Sequence, residues 1–152
     1  MNQSYTVVRF HRGCGLVSDL IAWWTGGWVT HVDFVVPEGL LGAKGMEGVR
    51  IRPPGECPYQ DILLPVADGA AFARSCLGSR YDWLGALACA FKLKWQSADA
   101  WFCSELVLVS LEAAGFVVCP QRKRLLTPWE LYNLLLPLGY PLNRLQLELK
   151  TR

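Results

Sequence analysis

The stretch from Trp101 to Gly115 constrains the fold most, because it predicts a helix that has to lie inside the protein. Ser97, Asp99 and Ser104 are residue types that favour the start of a helix. Gly115 favours its end. A helix on a protein surface keeps a polar face, but this one is apolar on almost every side, so we expect it at the centre of a core. Its apolar residues are Leu106, Val107, Leu108, Val109, Leu111, Ala113 and Ala114.

Cys103 lies in the first turn of this predicted helix. The helix dipole places partial positive charge at that end, and this charge favours the thiolate form of a cysteine. A thiolate is a nucleophile, so Cys103 is a candidate catalytic residue. A free cysteine is also often no more than a small buried apolar side chain. The helix alone leaves both interpretations open.

The composition predicts one folded domain over residues 1–152. Hydrophobic residues make up 52% of the chain and charged residues 18%, which excludes a disordered protein. The formal net charge of +2 is too small to indicate a nucleic-acid partner. The sequence contains no motif for nucleotide, dinucleotide or zinc-protease chemistry, so we expect no cofactor.

The chain has 6 cysteines and 2 histidines, which limits its metal and redox chemistry. No two cysteines have the CxxC spacing of a zinc site, so we expect no bound metal. The first residues lack the charged and apolar regions of a signal peptide, which predicts a cytoplasmic protein with reduced cysteines. The longest apolar stretch, Trp83–Phe91, is too short to cross a bilayer, so we expect no transmembrane segment.

Strands precede helices along the chain, which is typical of an α+β domain. Alternating apolar residues and turn signals predict an antiparallel meander in the first half. The expected strands are Tyr5–Phe10, Trp28–Val36, Leu40–Ala43, Gly48–Arg52 and Asp61–Pro65. The expected helices are Leu16–Trp24, Ala67–Leu77, Tyr81–Lys92, Cys103 to Gly115, and a short one from the Thr127 cap to about Leu136. The tail from Pro137 is expected to be turn-like and then amphipathic.

His31 lies in the middle of the second expected strand, where it is either a half-buried structural residue or a catalytic base. Its combination with Cys103 is more informative than either residue alone, because a nucleophilic cysteine needs a base within hydrogen-bond reach. Asp33 shares a strand face with His31 but lies roughly 7 Å further along the strand. We therefore expect Asp33 to orient the imidazole only through a kink or a water molecule.

Several short motifs, taken in their order along the chain, resemble a known family. They are Thr30–Val36, Leu41–Ala43, Gly48–Val49, Tyr81–Asp82 and Phe102–Val107. Their order is similar to that in the circularly permuted branch of the NlpC/P60 papain-like cysteine hydrolases, in which the histidine strand precedes the cysteine helix. The resemblance covers about residues 5–116 and is greatest for short members of phage origin.

This resemblance implies a fold and a set of residue roles. The fold is a small antiparallel sheet or barrel packed against a central helix that carries a cysteine at its N-terminus. Cys103 would be the nucleophile, His31 the base, and the backbone N–H of Cys103 part of an oxyanion hole. Tyr81 and Ser104 would contact the substrate, although a core aromatic is an equally good interpretation of Tyr81.

The resemblance also implies a substrate class. The substrate would be an amide or ester from a cell envelope, such as a peptidoglycan peptide or a lipid. Two further functions stay open. One is a lipid thioesterase or acyltransferase, with which an apolar composition containing 7 tryptophans is compatible. The other is a catalytically inactive, phage-associated binding or structural module.

One position departs from the family pattern. Family members carry a third polar residue, often Glu, where this chain has Gly42, which has no side chain. Asp33 and Glu47 are the candidates to orient His31 instead, as are a backbone carbonyl and a water molecule. The missing side chain is the main argument for the inactive module.

Overall fold

The computed structural model describes residues 5–82, 100–118 and 126–142, and within these ranges the chain has the expected α+β fold. The strands are β1 (Thr6–His11), β2 (His31–Val36), β3 (Gly39–Lys44), β4 (Gly48–Arg52), β5 (Tyr59–Leu64), β6 (Arg80–Tyr81), β7 (Ala100–Trp101) and β8 (Tyr140–Leu142). The helices are α1 (Leu16–Thr25), α2 (Ala71–Ser75), α3 (Cys103–Ala113) and α4 (Pro128–Leu135), followed by a short 3-10 helix (Leu136–Leu138).

One antiparallel sheet contains six of the strands, in the order β4-β3-β2-β1-β5-β8. The first four strands follow one another as the expected meander, and β5 returns to pair with the other side of β1. The sequence does not predict β8, since Pro141 and its neighbours indicate only a turn. A short strand with a proline is tolerated there because β8 lies at the edge of the sheet.

The core lies between one face of this sheet and helix α3. Alternate residues of the central strands point into it, among them Val8, Phe10, Val32 and Phe34. α3 is buried from Cys103 to Leu111 and packs against β2, β3, α2 and α4. The predicted central position of this helix is confirmed, and it follows from side chains that are apolar on nearly all sides.

Helix α2 is shorter than the helix predicted for Ala67–Leu77. The hydroxyl of Thr6 donates to the carbonyl of Val66 at 2.8 Å and accepts from the N–H of Gly69 at 2.9 Å. These bonds give the backbone of residues 66–69 partners outside a helix. The helix therefore begins later than its alanine-rich sequence indicates.

Tyr81 lies in a strand and not at the start of a helix, because β6 pairs in parallel with β7. The rest of the helix predicted for Tyr81–Lys92 lies outside the described residues, as does the tail after Leu142. The helix after Thr127 is confirmed, with both hydrogen bonds of a capping box. The Thr127 hydroxyl accepts from the N–H of Glu130 at 3.2 Å, and the Glu130 carboxylate accepts from the N–H of Thr127 at 2.9 Å.

Helix α1 occupies part of the segment between β1 and β2, and none of its residues is buried. It ends at Gly26, whose φ of 67° is the left-handed conformation that suits a glycine C-cap. Among the helices in the described ranges, none is long and apolar enough to cross a membrane.

Candidate active site

His31 and Cys103 lie at the beginnings of two regular elements that contact each other. His31 is the first residue of β2, and Cys103 is the first residue of α3, which packs against β2. The sulfur lies close enough to the imidazole for its charge to raise the pKa of His31. Cys103 is 4% exposed and the side chain of His31 is 14% exposed, so the pair is largely withdrawn from water.

Asp33 supplies the other partner of the imidazole. Its Oδ1 lies 3.1 Å from Nε2 of His31, which leaves Nδ1 as the ring nitrogen that can face Cys103. The expectation that Asp33 acts only through a kink or a water molecule is wrong. β2 pairs with β1 in unbroken register. The two side chains project from one face of the strand and lean toward each other across a Cα separation of roughly 7 Å.

Two further residues hold the carboxylate of Asp33, and neither is among the site residues predicted from the sequence. His11, the last residue of β1, pairs directly with His31, and its Nε2 donates to Oδ2 of Asp33 at 3.0 Å. Arg52, the last residue of β4, donates to Oδ1 of Asp33 at 3.1 Å. The predicted meander contains a signal for His11, because consecutive antiparallel strands place the end of one beside the start of the next. We call His11, His31, Asp33 and Arg52 the Asp33 cluster.

Gly42 lies across from Asp33 on the neighbouring strand, as the register that pairs Phe34 with Leu41 continues. A Cβ added at Gly42 would collide with Oδ1 of Asp33. The carboxylate therefore fills the volume that a side chain at position 42 would need. The absence of a side chain at Gly42 therefore leaves the space that the Asp33 carboxylate occupies.

Glu47 and Ser104, also predicted as site residues, have other partners. Glu47 is exposed, and its Oε2 lies 3.8 Å from Nη1 of Arg52, so it stands beside the cluster and not on His31. Ser104 is fully buried and donates its hydroxyl to the carbonyl of Leu126. That bond is a structural contact in place of the expected contact with substrate.

Tyr81 lies beside the segment that leads into the cysteine helix. It pairs with Trp101, two residues before Cys103, and is partly buried against the core. This position fits both interpretations of Tyr81, as a residue that lines the cleft and as a core aromatic.

The charges around His31 favour its protonated form. Burial alone would lower its pKa. The negative charges of Asp33 and Cys103 and the hydrogen bonds to both outweigh burial and raise the pKa of His31 from 6.5 to about 10. An imidazolium is therefore the stable form at neutral pH, with a carboxylate at one side of the ring and a sulfur at the other.

The pKa of Asp33 moves in the opposite direction. Burial alone would raise it, but the charge of His31 and the hydrogen bonds from His11 and His31 hold the pKa of Asp33 well below its usual 3.8. Asp33 is 1% exposed. A buried carboxylate is stable only when partners satisfy its charge, and here two imidazoles and the guanidinium of Arg52 do so.

The start of α3 offers donors for a developing negative charge. Phe102, the residue before the helix, is extended and provides no side-chain cap. The first N–H groups of a helix have no acceptor within it, so those of Cys103 and the residues after it point toward the helix end that carries the sulfur. This arrangement can stabilise an oxyanion that forms next to the sulfur.

His11, His31 and Asp33 also place ligand atoms within 4.8 Å of one another, a spacing that a metal ion could bridge. A bound metal needs neutral imidazoles, whereas His31 is stabilised as an imidazolium. The guanidinium of Arg52 already lies 3.1 Å from Oδ1 of Asp33 and would repel a cation. The charges therefore suit this group to holding a proton better than a metal.

No protein-family model matches the chain, and no curated protein matches it. The candidate site is therefore defined by its geometry. It has a cysteine at a helix N-terminus, an imidazole whose pKa that cysteine raises, and a carboxylate bonded to the imidazole.

Proposed function

We propose that this protein is a cysteine hydrolase with a circularly permuted papain-like fold, which cleaves an amide or ester bond through an acyl-thioester intermediate. Cys103 is the nucleophile, His31 is the general acid and base, and Asp33 is the positioning residue. The observation that carries the proposal is the place of His31 between two groups: Asp33, 3.1 Å from its Nε2, and Cys103 at the start of a buried helix, which raises the pKa of the imidazole. That geometry matches what an activated thiol nucleophile requires.

The proposed reaction begins with the thiolate form of Cys103 beside the imidazolium of His31. The Cys103 thiolate attacks the substrate carbonyl, a C–S bond forms, and the π electrons of the carbonyl move to oxygen. The oxyanion collapses, the bond to the leaving amine or alcohol breaks, and the imidazolium of His31 gives that group its proton. Water then attacks the thioester while His31 takes a proton from it. Release of the carboxylic acid restores the thiolate and the imidazolium.

The surrounding residues have separate tasks in this scheme. The N–H groups at the start of α3 stabilise the oxyanion in both steps. Asp33 keeps Nε2 of His31 occupied, so that Nδ1 faces Cys103 throughout. His11 and Arg52 hold the Asp33 carboxylate ionised and fixed in place. Neither of these two residues is bonded to the reacting sulfur or to the carbonyl, so both are positioning residues.

The substrate class rests on the resemblance to the permuted NlpC/P60 branch, which supports an amide or ester of cell-envelope type. A lipid thioesterase or acyltransferase is the second candidate, and it is favoured by exposed leucines and tryptophans in α1, the helix between His11 and His31. The inactive phage module loses its main argument. Asp33 fills the volume at Gly42, so a carboxylate behind His31 is present after all.

Alkylation by iodoacetamide tests the activated thiol. We expect Cys103 to react at least about tenfold faster than Cys57 and Cys76 at about pH 6, as measured by mass spectrometry of each site. The hydrogen bond between the thiols of Cys57 and Cys14 raises the pKa of Cys57, and burial raises the pKa of Cys76, so both should be slow. If Cys103 reacts no faster than these two thiols, the proposal fails.

A His31→Gln variant separates activation from simple access. It should leave Cys103 equally reachable but slow its alkylation at about pH 6, because the imidazolium that stabilises the thiolate is gone. Turnover of p-nitrophenyl acetate gives a second readout. Cys103→Ala and His31→Gln should each lower the rate by a factor of about 10² to 10⁴, whereas Cys76→Ala should leave it unchanged. Equal rates in all four proteins would exclude the dyad.

A further inference from the structure

Helix α1 presents its apolar side chains to the outside of the protein. Leu16, Val17, Leu20, Trp23 and Trp24 are 88%, 65%, 62%, 75% and 52% exposed. With about 100° between successive residues, these side chains project from one side of the helix within an arc of about 120°. A helix at the surface of a protein normally turns such an arc toward the core.

The side of α1 that faces the protein consists mainly of small and polar residues. Ser18, Ala22 and Thr25 are half-buried, together with Ile21. α1 is therefore amphipathic, but its apolar face points to solvent and its smaller, more polar residues point to the protein. This orientation leaves its largest apolar side chains in water, which is unfavourable unless another apolar phase covers them.

The exposed face of α1 carries no unpaired charge. The charged residue of the helix, Asp19, accepts a hydrogen bond from Nη2 of Arg12 at 2.8 Å. The helix contains no lysine or arginine, so attraction to an anionic surface is not its driving force. Leucines flanked by tryptophans are the side chains that enter the boundary between the headgroups and the acyl chains of a bilayer.

α1 is tied to the active site at both of its ends. Its segment leaves the sheet after His11 and returns at His31, and the N–H of Gly13 donates to Oγ1 of Thr30 at 2.8 Å to close its base. The turn between β3 and β4 reaches the same end of the sheet, because β3 runs antiparallel to β2, and its Met46 is 91% exposed. The exposed apolar residues and the active site therefore lie at one end of the sheet.

We propose that α1 is an interfacial helix that binds the surface of a lipid bilayer and holds the active site next to it. The helix lies parallel to the membrane, and its exposed arc enters the apolar boundary of one leaflet. Docking itself needs no catalysis. Its consequence for the substrate rests on the proposed function: the bond that is cleaved belongs to a lipid and is reached from the interface.

A second copy of the chain accounts for this face less well. α1 has 10 residues and is about 15 Å long. Two such helices touch along one stripe, whereas a stable protein interface buries about 800 Å² on each partner. A lipid bilayer is fluid, so it can contact all of the exposed apolar side chains of α1 at once, including both tryptophans.

Flotation with vesicles tests the proposal. The probe is a large unilamellar vesicle of phosphatidylcholine, and the protein is the full chain with Cys103→Ala, so that binding is measured without turnover. We expect this protein to float with the vesicles, and a variant that also carries Leu20→Gln and Trp23→Gln to bind at least about tenfold more weakly. No binding by the parent protein, or equal binding by the triple variant, would overturn the proposal.

Tyr140→Gln is the matched control. Tyr140 is 65% exposed and pairs with Leu63, near the end of the sheet opposite His11, so its replacement should leave flotation unchanged. Sedimentation without vesicles separates the competing occupant. A dimer that the α1 substitutions abolish, together with no flotation, would overturn the lipid proposal in favour of a second copy. Alkylation of Cys103 in a chain with only the α1 substitutions should be unchanged, which distinguishes a failure of docking from a failure of the proposed function.

Discussion

The Asp33 cluster and helix α1 break the usual distribution of polar and apolar residues in opposite directions. In the cluster a carboxylate lies in the interior, 1% exposed, with two imidazoles and a guanidinium bonded to it. In α1, leucines and tryptophans lie in solvent while small and polar residues face the protein. The cluster finds its partners within the chain. The apolar face of α1 finds no cover among the described residues.

The comparison shows that a buried charge and an exposed apolar surface have different consequences for the protein. The Asp33 cluster and α1 are neighbours along the chain, since β1 ends at His11, α1 follows it, and β2 begins at His31. A fully paired buried group fixes geometry and contributes to stability, whereas an exposed apolar face contributes little to folding. Substitutions in the cluster should therefore change stability and proton affinity, and substitutions in α1 should change neither.

The largest effect is expected from Gly42→Ala, which adds a methyl group where Oδ1 of Asp33 lies. We expect a loss of about 2 to 3 kcal/mol in the free energy of unfolding, because overpacking here displaces a buried carboxylate from its donors. Urea denaturation measures the loss. In an Asp33→Gly background the same methyl group enters vacated space, and its cost should fall toward zero.

Gly55→Ala is the control for this prediction, since a Cβ at Gly55 meets no atom within 4 Å. Its effect should stay within about 0.5 kcal/mol. If Gly42→Ala costs the same with and without Asp33, the two positions do not share one volume, and the Asp33 carboxylate does not depend on a glycine at position 42.

A smaller effect is expected on the titration of His31. Its pKa of about 10 lies above the unfolded value of 6.5, so its contribution to stability is complete below pH 6.5 and is lost as the pH rises toward 10. The contribution of Asp33 to stability depends on pH in the opposite direction. Its pKa is lowered, so its contribution is complete above pH 3.8 and is lost as the pH falls further. Asp33→Asn should lower the pKa of His31 by at least about 1, which corresponds to about 1.4 kcal/mol.

NMR of the imidazole protons measures this titration directly. The chain has 2 histidines, so the His11→Gln variant assigns the signals. An imidazole at His31 that titrates near 6.5 both with and without the Asp33 carboxylate would contradict the charge pattern described for the cluster.

The smallest effect is expected in α1. Leu20→Gln and Trp23→Gln should each change the free energy of unfolding by less than about 0.5 kcal/mol, because both side chains are already exposed. Urea denaturation in the absence of lipid measures the change. A loss of 2 kcal/mol or more at either position would mean that the chain itself buries this face, and the contrast with the cluster would disappear.

Local chemistry in the sequence was sufficient for the parts of the fold that depend on neighbouring residues. The central helix follows from the apolar run after Cys103, and helix α4 follows from the Thr127–Glu130 capping box. Long-range contacts decide what the sequence does not show. The hydroxyl of Thr6 delays the start of α2, and β8 exists because β5 offers it an edge.

The same division applies to the candidate site. Residue chemistry is enough to select Cys103 and His31, and it leaves Asp33 as one of two candidates beside Glu47. The structure places Asp33 on the imidazole. Residue chemistry does not select Arg52, which reaches Asp33 from two strands away in the sheet. Nor does it give the direct bond from Asp33 to His31, because strand spacing describes Cα atoms and not the direction in which side chains lean.

The pairing of Asp33 with Gly42 bears on how such a site is encoded. Two facing positions on adjacent strands share one volume, and here the Asp33 carboxylate fills it because position 42 is glycine. The presence of a carboxylate behind His31 is therefore encoded by the two residues together and not by either position alone. A pattern that requires an acid at position 42 misses this arrangement. A pattern that requires an acid on one strand and a facing glycine on the next describes it.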